Sequence, residues 1–270
     1  MIYKIFDNFG KIFRCTGVYI YIIFVMITAN LFFHFNDFIN YKKSLKDRIN
    51  INRTFYIEMA SLFFNALFWI KIEIENEDKL SFLDFKKNNY IILSNHISYL
   101  DNFIITNVLK KIKNYQNCEF IGDSTILNWF IVGKVFKGLG MIEIKFEKDN
   151  KKERLEQNKY CKESVNKLKE DCIKALKEGK NLWFFPEGRC NNHPNKLNQI
   201  RGGAFNFQQT TKVPILLVAL KNNEKVWANK GYPTGSSKIQ VKFFDNPRIY
   251  NTVELYRNDI KNSIETWINN

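Results

Sequence analysis

The chain has 270 residues and a formal charge of +14, from 41 Lys and Arg against 27 Asp and Glu. Apolar residues make up 45%, while glycine (12) and proline (5) are scarce; this excludes disordered, collagen-like and Pro-rich linker classes and leaves one large domain or two small ones. The five cysteines, at 15, 118, 161, 172 and 190, are widely spaced with no Cys-x-x-Cys pair, which argues against a disulfide framework or a zinc ribbon and fits a reducing environment.

Residues 15 to 36 contain no Asp, Glu, Lys or Arg. At 1.5 Å per residue they make about 33 Å of helix, close to the thickness of a hydrocarbon core. The run is long for a signal-peptide core and no small-x-small cleavage site follows it. A membrane helix is expected, with a signal peptide or a buried core helix as the alternatives and a half-buried or re-entrant helix as the other membrane geometry. Basic residues flank both ends (Lys4, Lys11, Arg14; Lys42, Lys43, Lys46, Arg48), so charge does not set its orientation. The next apolar stretch, Met59 to Ile70, is too short to span and reads as an interfacial or core-packing helix.

From residue 70 the pattern changes to short apolar runs alternating with helical spacing. Ile70, Ile72 and Ile74 alternate with Lys71, Glu73 and Glu75, a strand signal. Strands are also expected at 90–96, 118–122, 141–146, 181–185, 213–220 and 239–244. Helices are expected at 101–112, 126–136, 151–179 and 253–268, the third with an apolar stripe from Leu155 to Leu176. Strands alternating with helices indicate an α/β fold: a mixed, largely parallel sheet flanked by helices, with the soluble domain over 70–270 and a membrane-associated helical segment over 1–69.

Two strand ends carry chemistry. His96 lies where a buried strand runs into a loop, the position at which functional groups of open α/β sheets collect. Asp101 follows five residues later, just inside a helix. A carboxylate on one ring nitrogen fixes the tautomer and leaves the other nitrogen to take a proton. By themselves the two residues fit a loop histidine beside a helix cap better than a catalytic pair. The second strand end is Phe185-Pro186-Glu187-Gly188-Arg189. Proline ends ladder pairing there, glycine permits close backbone approach, and arginine offers a fork for phosphate.

Together, and in this order, these segments resemble the glycerolipid acyltransferase family, which includes the lysophosphatidic acid acyltransferases. Asn95 to Asp101 matches that family's Asn-His-x-Ser-x-x-Asp motif, and Phe185 to Gly188 the start of its Phe-Pro-Glu-Gly-Thr-Arg motif. Arg201 to Phe205 is similar to the Lys-x-Gly-Ala-Phe segment that follows, and Val213-Pro214-Ile215 to the final Val-Pro-Ile motif. The resemblance implies His96 as general base and Asp101 as its orienting partner, with substrate contacts from Asn95, Ser98, Glu187, Gly188, Arg189, Lys145 and Pro214. It implies an acyl-CoA or acyl carrier protein as co-substrate, no metal or other cofactor, and a lysophospholipid acceptor drawn from a membrane. The active site is expected to face the cytosol, at the endoplasmic reticulum of a eukaryote or the inner membrane of a bacterium. No zinc-finger or helix-turn-helix signature accompanies the positive charge, so nucleic acid is not an expected partner.

The sequence departs from the family pattern in two places. The Thr-Arg pair reads Arg189-Cys190, and the arginine of the middle motif is absent from the Gly140 to Lys148 stretch, where Lys145 or Lys148 supplies charge. Lys196 and Arg201 are further candidates for holding a phosphate. Lysophosphatidic acid is the expected acceptor; glycerol-3-phosphate acylation, lysophospholipid remodelling or transacylation, and non-catalytic lipid binding are the alternatives.

Overall fold

The computed structural model describes residues 2–77, 80, 83, 85, 87–113, 117–145 and 162–270. Two helices open the chain, α1 (Ile2–Ile39) and α2 (Leu45–Phe64). There follow β1 (Ile70–Ile74), β2 (Ile91–Ser94), α3 (Asp101–Lys111), β3 (Cys118–Asp123), α4 (Ser124–Leu127), α5 (Val132–Gly138) and β4 (Ile142–Ile144). Then come α6 (Lys162–Lys177), β5 (Asn181–Phe184), α7 (Gly203–Thr211), β6 (Ile215–Lys221), β7 (Ser237–Phe243) and α8 (Val253–Asn269). The seven strands form one sheet in the order β1-β7-β6-β2-β5-β3-β4. Strands β6, β2, β5, β3 and β4 run parallel; β7 is antiparallel to β6, and β1 is parallel to β7. The expected α/β architecture with a mixed, largely parallel sheet is the one observed.

The central strands are apolar on both faces because helices cover both. Ile92, Trp183, Leu216 and Val218 point to one face, where α1, α2 and α3 pack. Ile91, Leu93, Leu182, Ile215 and Leu217 point to the other, under α6, α7 and α8. Helix α8 shows how spacing selects a face: Tyr256, Ile260, Ile264 and Ile268, four apart, all lie buried on the second face.

Helix α1 joins this core along one side only. Val18, Tyr21, Val25, Met26, Ala29 and Phe33 are buried with the sheet, whereas Ile20, Ile23, Phe24, Ile27, Leu31 and Phe35 are exposed. It is one helix, among the described residues, long and apolar enough to cross a membrane. The stretch Met59 to Ile70 is the end of α2 plus the turn into β1, and Met59, Ala60, Phe64 and Leu67 pack in the core. Helix α2 is locked to the sheet by a buried charge cluster. Arg53 donates through Nη1 to Glu119 Oε1 on β3 at 3.2 Å and through Nη2 to Oε2, and Lys180 also reaches Glu119. Asn52, the first residue of an Asn-Arg-Thr glycosylation sequon, is buried: its amide donates to the Gly138 carbonyl at 3.0 Å and accepts from Asn36 at 2.8 Å.

Two expected elements differ. The single helix expected at 126–136 is two short ones, because the chain folds back tightly enough that a Cβ on Gly133 would run into the Leu127 carbonyl. Of the long helix expected at 151–179, the structure describes α6 from Lys162 onward; 151–161 lie outside the described residues.

Candidate active site

The site follows from the crossovers. Adjacent strands β2 and β5 send their connections to opposite faces of the sheet, β2 into α3 and β5 towards α7. Such a divergence opens a crevice beyond the strands' C-terminal ends. Strand β2 delivers Asn95 and His96 there, β5 delivers Glu187 and Gly188, and β6, on the other side of β2, delivers Asn223.

His96 Nδ1 lies 2.8 Å from Asp101 Oδ2. The Asp101 carboxylate is wholly buried, and the His96 side chain keeps 18% of its surface exposed. The same Oδ2 accepts from the backbone N–H groups of Ile97 (2.8 Å) and Ser98 (3.0 Å), so Asp101 closes the turn that it also uses to hold the imidazole. These donors satisfy a buried anion that would otherwise be costly. Phe185 stacks flat on the His96 ring, with centroids 4.0 Å apart and planes 12° apart. With Nδ1 facing a carboxylate, Nδ1 carries the proton and Nε2 presents a lone pair. Nothing among the described residues bonds Nε2. A base oriented at one nitrogen and open at the other is the arrangement a proton-abstracting step requires.

Several residues expected to touch substrate are engaged within the protein instead. The Asn95 amide donates to Leu220 O at 2.8 Å and accepts from Leu220 N at 2.7 Å, extending the β2–β6 ladder by one side-chain rung. Ser98 Oγ donates to Trp227 O at 2.6 Å and accepts from Leu100 N at 3.1 Å. Glu187 is 2% exposed. Its Oε1 accepts from His96 N at 3.0 Å, and its Oε2 from Asn191 Nδ2 at 2.9 Å and Asn198 N at 2.8 Å. Burial pushes the Glu187 carboxyl up from its ordinary range, opposed by the Asn198 and His96 N–H groups and the Asn191 amide. Asn191 N in turn donates to His96 O at 2.6 Å, so the histidine backbone is gripped on both sides.

Gly188 has φ +70, and a Cβ there would run into Arg201 Nε and lie 2.8 Å from its Cζ. Only glycine both adopts the turn and seats that guanidinium. Arg201 Nε donates to Glu187 O at 3.3 Å, which sets its positive head beside the crevice. Arg189, one residue further along the turn, is exposed. Lys145 is exposed at the end of β4, three strands from β2, about 14 Å sideways at the usual strand spacing. It is not brought to the histidine, and Lys148 lies outside the described residues. Pro214 must be corrected outright. It precedes β6, whose seven residues make about 20 Å, and its carbonyl accepts from Ile91 N at 3.0 Å at the opposite end of the sheet from His96. The Val-Pro-Ile segment starts the strand; what reaches the site is its far end, Asn222-Asn223.

Cys190 borders the site without serving it as a thiolate. Burial, with the charges of Asp101 and Glu187 nearby, pushes its thiol up to about 12. Among the described residues no cluster of three or more His, Cys, Asp or Glu side chains could hold a metal ion.

Residues 71–221, more than half of the chain, match the model of the acyltransferase family. The chain is 28% identical over 169 residues to a chloroplastic 1-acyl-sn-glycerol-3-phosphate acyltransferase of Arabidopsis thaliana, and 26% identical over 149 residues to one of Brassica napus. The matches cover 63% and 55% of the chain but only 40% and 36% of those proteins. The fold is similar to that of the crystallised 1-acyl-sn-glycerophosphate acyltransferase of Thermotoga maritima, with a TM-score of 0.67, 15% identity and 96% of each chain covered. The matched span takes in both strand-end segments that converge on His96, and the chain belongs to the acyltransferase family.

Proposed function

We propose that the protein transfers a fatty acyl group from a thioester donor, acyl-CoA or acyl carrier protein, to the free hydroxyl of lysophosphatidic acid, forming phosphatidic acid. The observation that carries this reading is the 2.8 Å His96–Asp101 contact with Nε2 open at the crevice. His96 Nε2 takes the proton of the acceptor hydroxyl as its oxygen attacks the thioester carbonyl. The new C–O bond forms, the C–S bond breaks, and the departing thiolate recovers the proton from Nε2. Asp101 steadies the imidazolium between the two transfers. The acceptor is its own nucleophile. Ser98 is tied to Trp227 O, and the Cys190 thiol is far from ionised at neutral pH.

Arg201, seated on Gly188, with Arg189 nearby, supports a phosphate-bearing acceptor. The relatives named for 1-acyl-sn-glycerol-3-phosphate support the same choice. Helix α1 supports membrane attachment. Because its inner side is packed against α2, α3 and α5, only its outer apolar stripe meets lipid, so it lies along the membrane rather than through it. Tyr19 of α1 packs on Trp227 with ring centroids 5.7 Å apart, and Tyr99 of the catalytic turn packs on the same indole at 5.5 Å. A lipid acceptor reaches His96 from that surface without crossing water.

The test is thiol release by the purified protein in detergent, with oleoyl-CoA and a panel of acceptors: lysophosphatidic acid, glycerol-3-phosphate and neutral-headgroup lysolipids. Release with lysophosphatidic acid, accompanied by phosphatidic acid, is expected. Release only with a neutral headgroup would overturn the acceptor assignment and leave the chemistry standing. Lipid binding without release from any acceptor would overturn both.

A further inference from the structure

The Asp101 carboxylate has a second oxygen, and one side chain outside all of the family-like segments takes it. Asn222, immediately after β6, adopts a left-handed conformation (φ +69), which asparagine tolerates better than most residues. The turn brings Asn223 back onto the sheet's end, where it is wholly buried. Its Nδ2 donates to Asp101 Oδ1. The assignment follows from chemistry: a carboxylate oxygen accepts, so the amide nitrogen must face it. Among the described residues Asn223 is the one donor on Oδ1, whereas Oδ2 serves His96, Ile97 and Ser98. The backbone supports the same placement. Val226 N (3.1 Å) and Trp227 N (3.2 Å) both donate to Asn223 O, and Trp227 O accepts from Ser98 Oγ. Residues 223–227 are thus fastened to the catalytic turn at two points. The other half of the Asn223 amide, Oδ1, is buried and has no partner among the described residues.

We propose that Asn223 is a positioning residue for acyl transfer: by holding Oδ1 it fixes the rotation of the Asp101 carboxylate, and through it the ring of His96. The inference rests on the acyltransferase reading above. Without this donor the carboxylate is held at one oxygen only, and the imidazole loses its fixed aim at the acceptor hydroxyl. The loss falls on the reaction step and not on acceptor binding, because Asn223 touches Asp101 and no part of the acceptor.

The test uses the full chain in detergent with oleoyl-CoA and lysophosphatidic acid. Asn223→Ala and the isosteric Asn223→Asp, which reverses donor to acceptor, are expected to lower kcat about 10- to 100-fold, the worth of a hydrogen bond to a charged group. KM for lysophosphatidic acid should stay within about twofold, as for an interaction that acts only in the transition state. Asn223→Ser keeps a donor and should recover most of the loss. In an Asp101→Ala background, followed with radiolabelled acyl donor, Asn223→Ala should remove less than about a further twofold, since both changes act through one carboxylate. Wild-type kcat in Asn223→Ala overturns the proposal, as does a change confined to KM or a full additional loss in the Asp101→Ala background. If Asn223→Ala fails to fold, Asn223→Asp and Asn223→Ser decide it by the same criteria. A wild-type protein without His96-dependent transfer would overturn the acyltransferase reading itself, a result distinct from activity that survives loss of Asn223.

Discussion

Glu187 separates two accounts of this site. A residue that shapes the acceptor pocket should govern KM; a residue that braces the histidine should govern stability and kcat. Its carboxylate accepts three N–H donors, His96 N on Oε1 and Asn191 Nδ2 and Asn198 N on Oε2. Glutamine offers one carbonyl oxygen and one NH₂ group in the same volume. In its better orientation the oxygen keeps Asn191 and Asn198, and the NH₂ faces the His96 N–H, donor against donor. One hydrogen bond to a charged group is then lost, which costs about 1.5–3 kcal/mol. For a chain of this size that lowers the melting temperature by about 3–10 °C. The displaced group is the backbone of His96, the proposed base, and a misplacement of about 1 Å at a reacting centre removes up to about 10²-fold in rate. Glu187→Gln should therefore melt earlier and turn over about 10- to 100-fold more slowly, at an unchanged KM for lysophosphatidic acid. Differential scanning fluorimetry and initial-rate kinetics on one preparation measure both. An unaltered melting temperature with a raised KM would refute the reasoning and return Glu187 to the acceptor pocket.

Other outcomes follow from the same structure. Gly188→Ala forces a Cβ into the left-handed region, at about 1–2 kcal/mol, and displaces Arg201. It should lower the melting temperature and raise KM for lysophosphatidic acid, and normal values of both would contradict the seating of Arg201. Pro214→Ala, at the far end of β6, should leave kcat and KM within about twofold; a selective loss of acceptor affinity would show that this end of the sheet reaches substrate. Burial alone would raise the Glu119 carboxyl, but Arg53 and Lys180 outweigh it and hold it below the ordinary carboxylate range. A depressed native value gives stability that is present above the unfolded value, near 4.3, and is lost as pH falls through the native one. The melting-temperature advantage of wild type over Glu119→Gln should accordingly hold from neutral pH down to about 5 and shrink below it. An advantage that does not shrink on acidification would contradict the ion cluster.

The sheet was legible because its strands, covered on both faces, read as short apolar runs such as Ile215 to Leu220. The two strand-end motifs were legible because proline, glycine and a closely spaced His and Asp leave local marks. What they do at the site was less so. Asn95, Ser98 and Glu187 look like substrate ligands in a motif, yet their polar atoms are used up by Leu220, Trp227 and the His96 backbone, partners that only folding supplies. Asn223 and Asn191 carry no motif at all, and in a chain rich in asparagine their type gives no signal. The one available clue was position, since the working end of a parallel strand is its C-terminal end. The break between α4 and α5 escaped periodicity because it depends on the approach of Gly133 to a carbonyl six residues earlier, a contact no hydropathy pattern records. The docking of α1 was hidden for a related reason. A helix that is apolar all round shows the same composition whether one face meets lipid or protein.

The central claim is that His96 is the base for acyl transfer. It is tested most directly by the phosphatidic acid formed from oleoyl-CoA and lysophosphatidic acid by wild type and His96→Ala, purified side by side with matched circular dichroism. A loss of about 10²–10⁴ in rate, the usual worth of general base catalysis, is the predicted result. Wild-type turnover by a folded His96→Ala protein would contradict it.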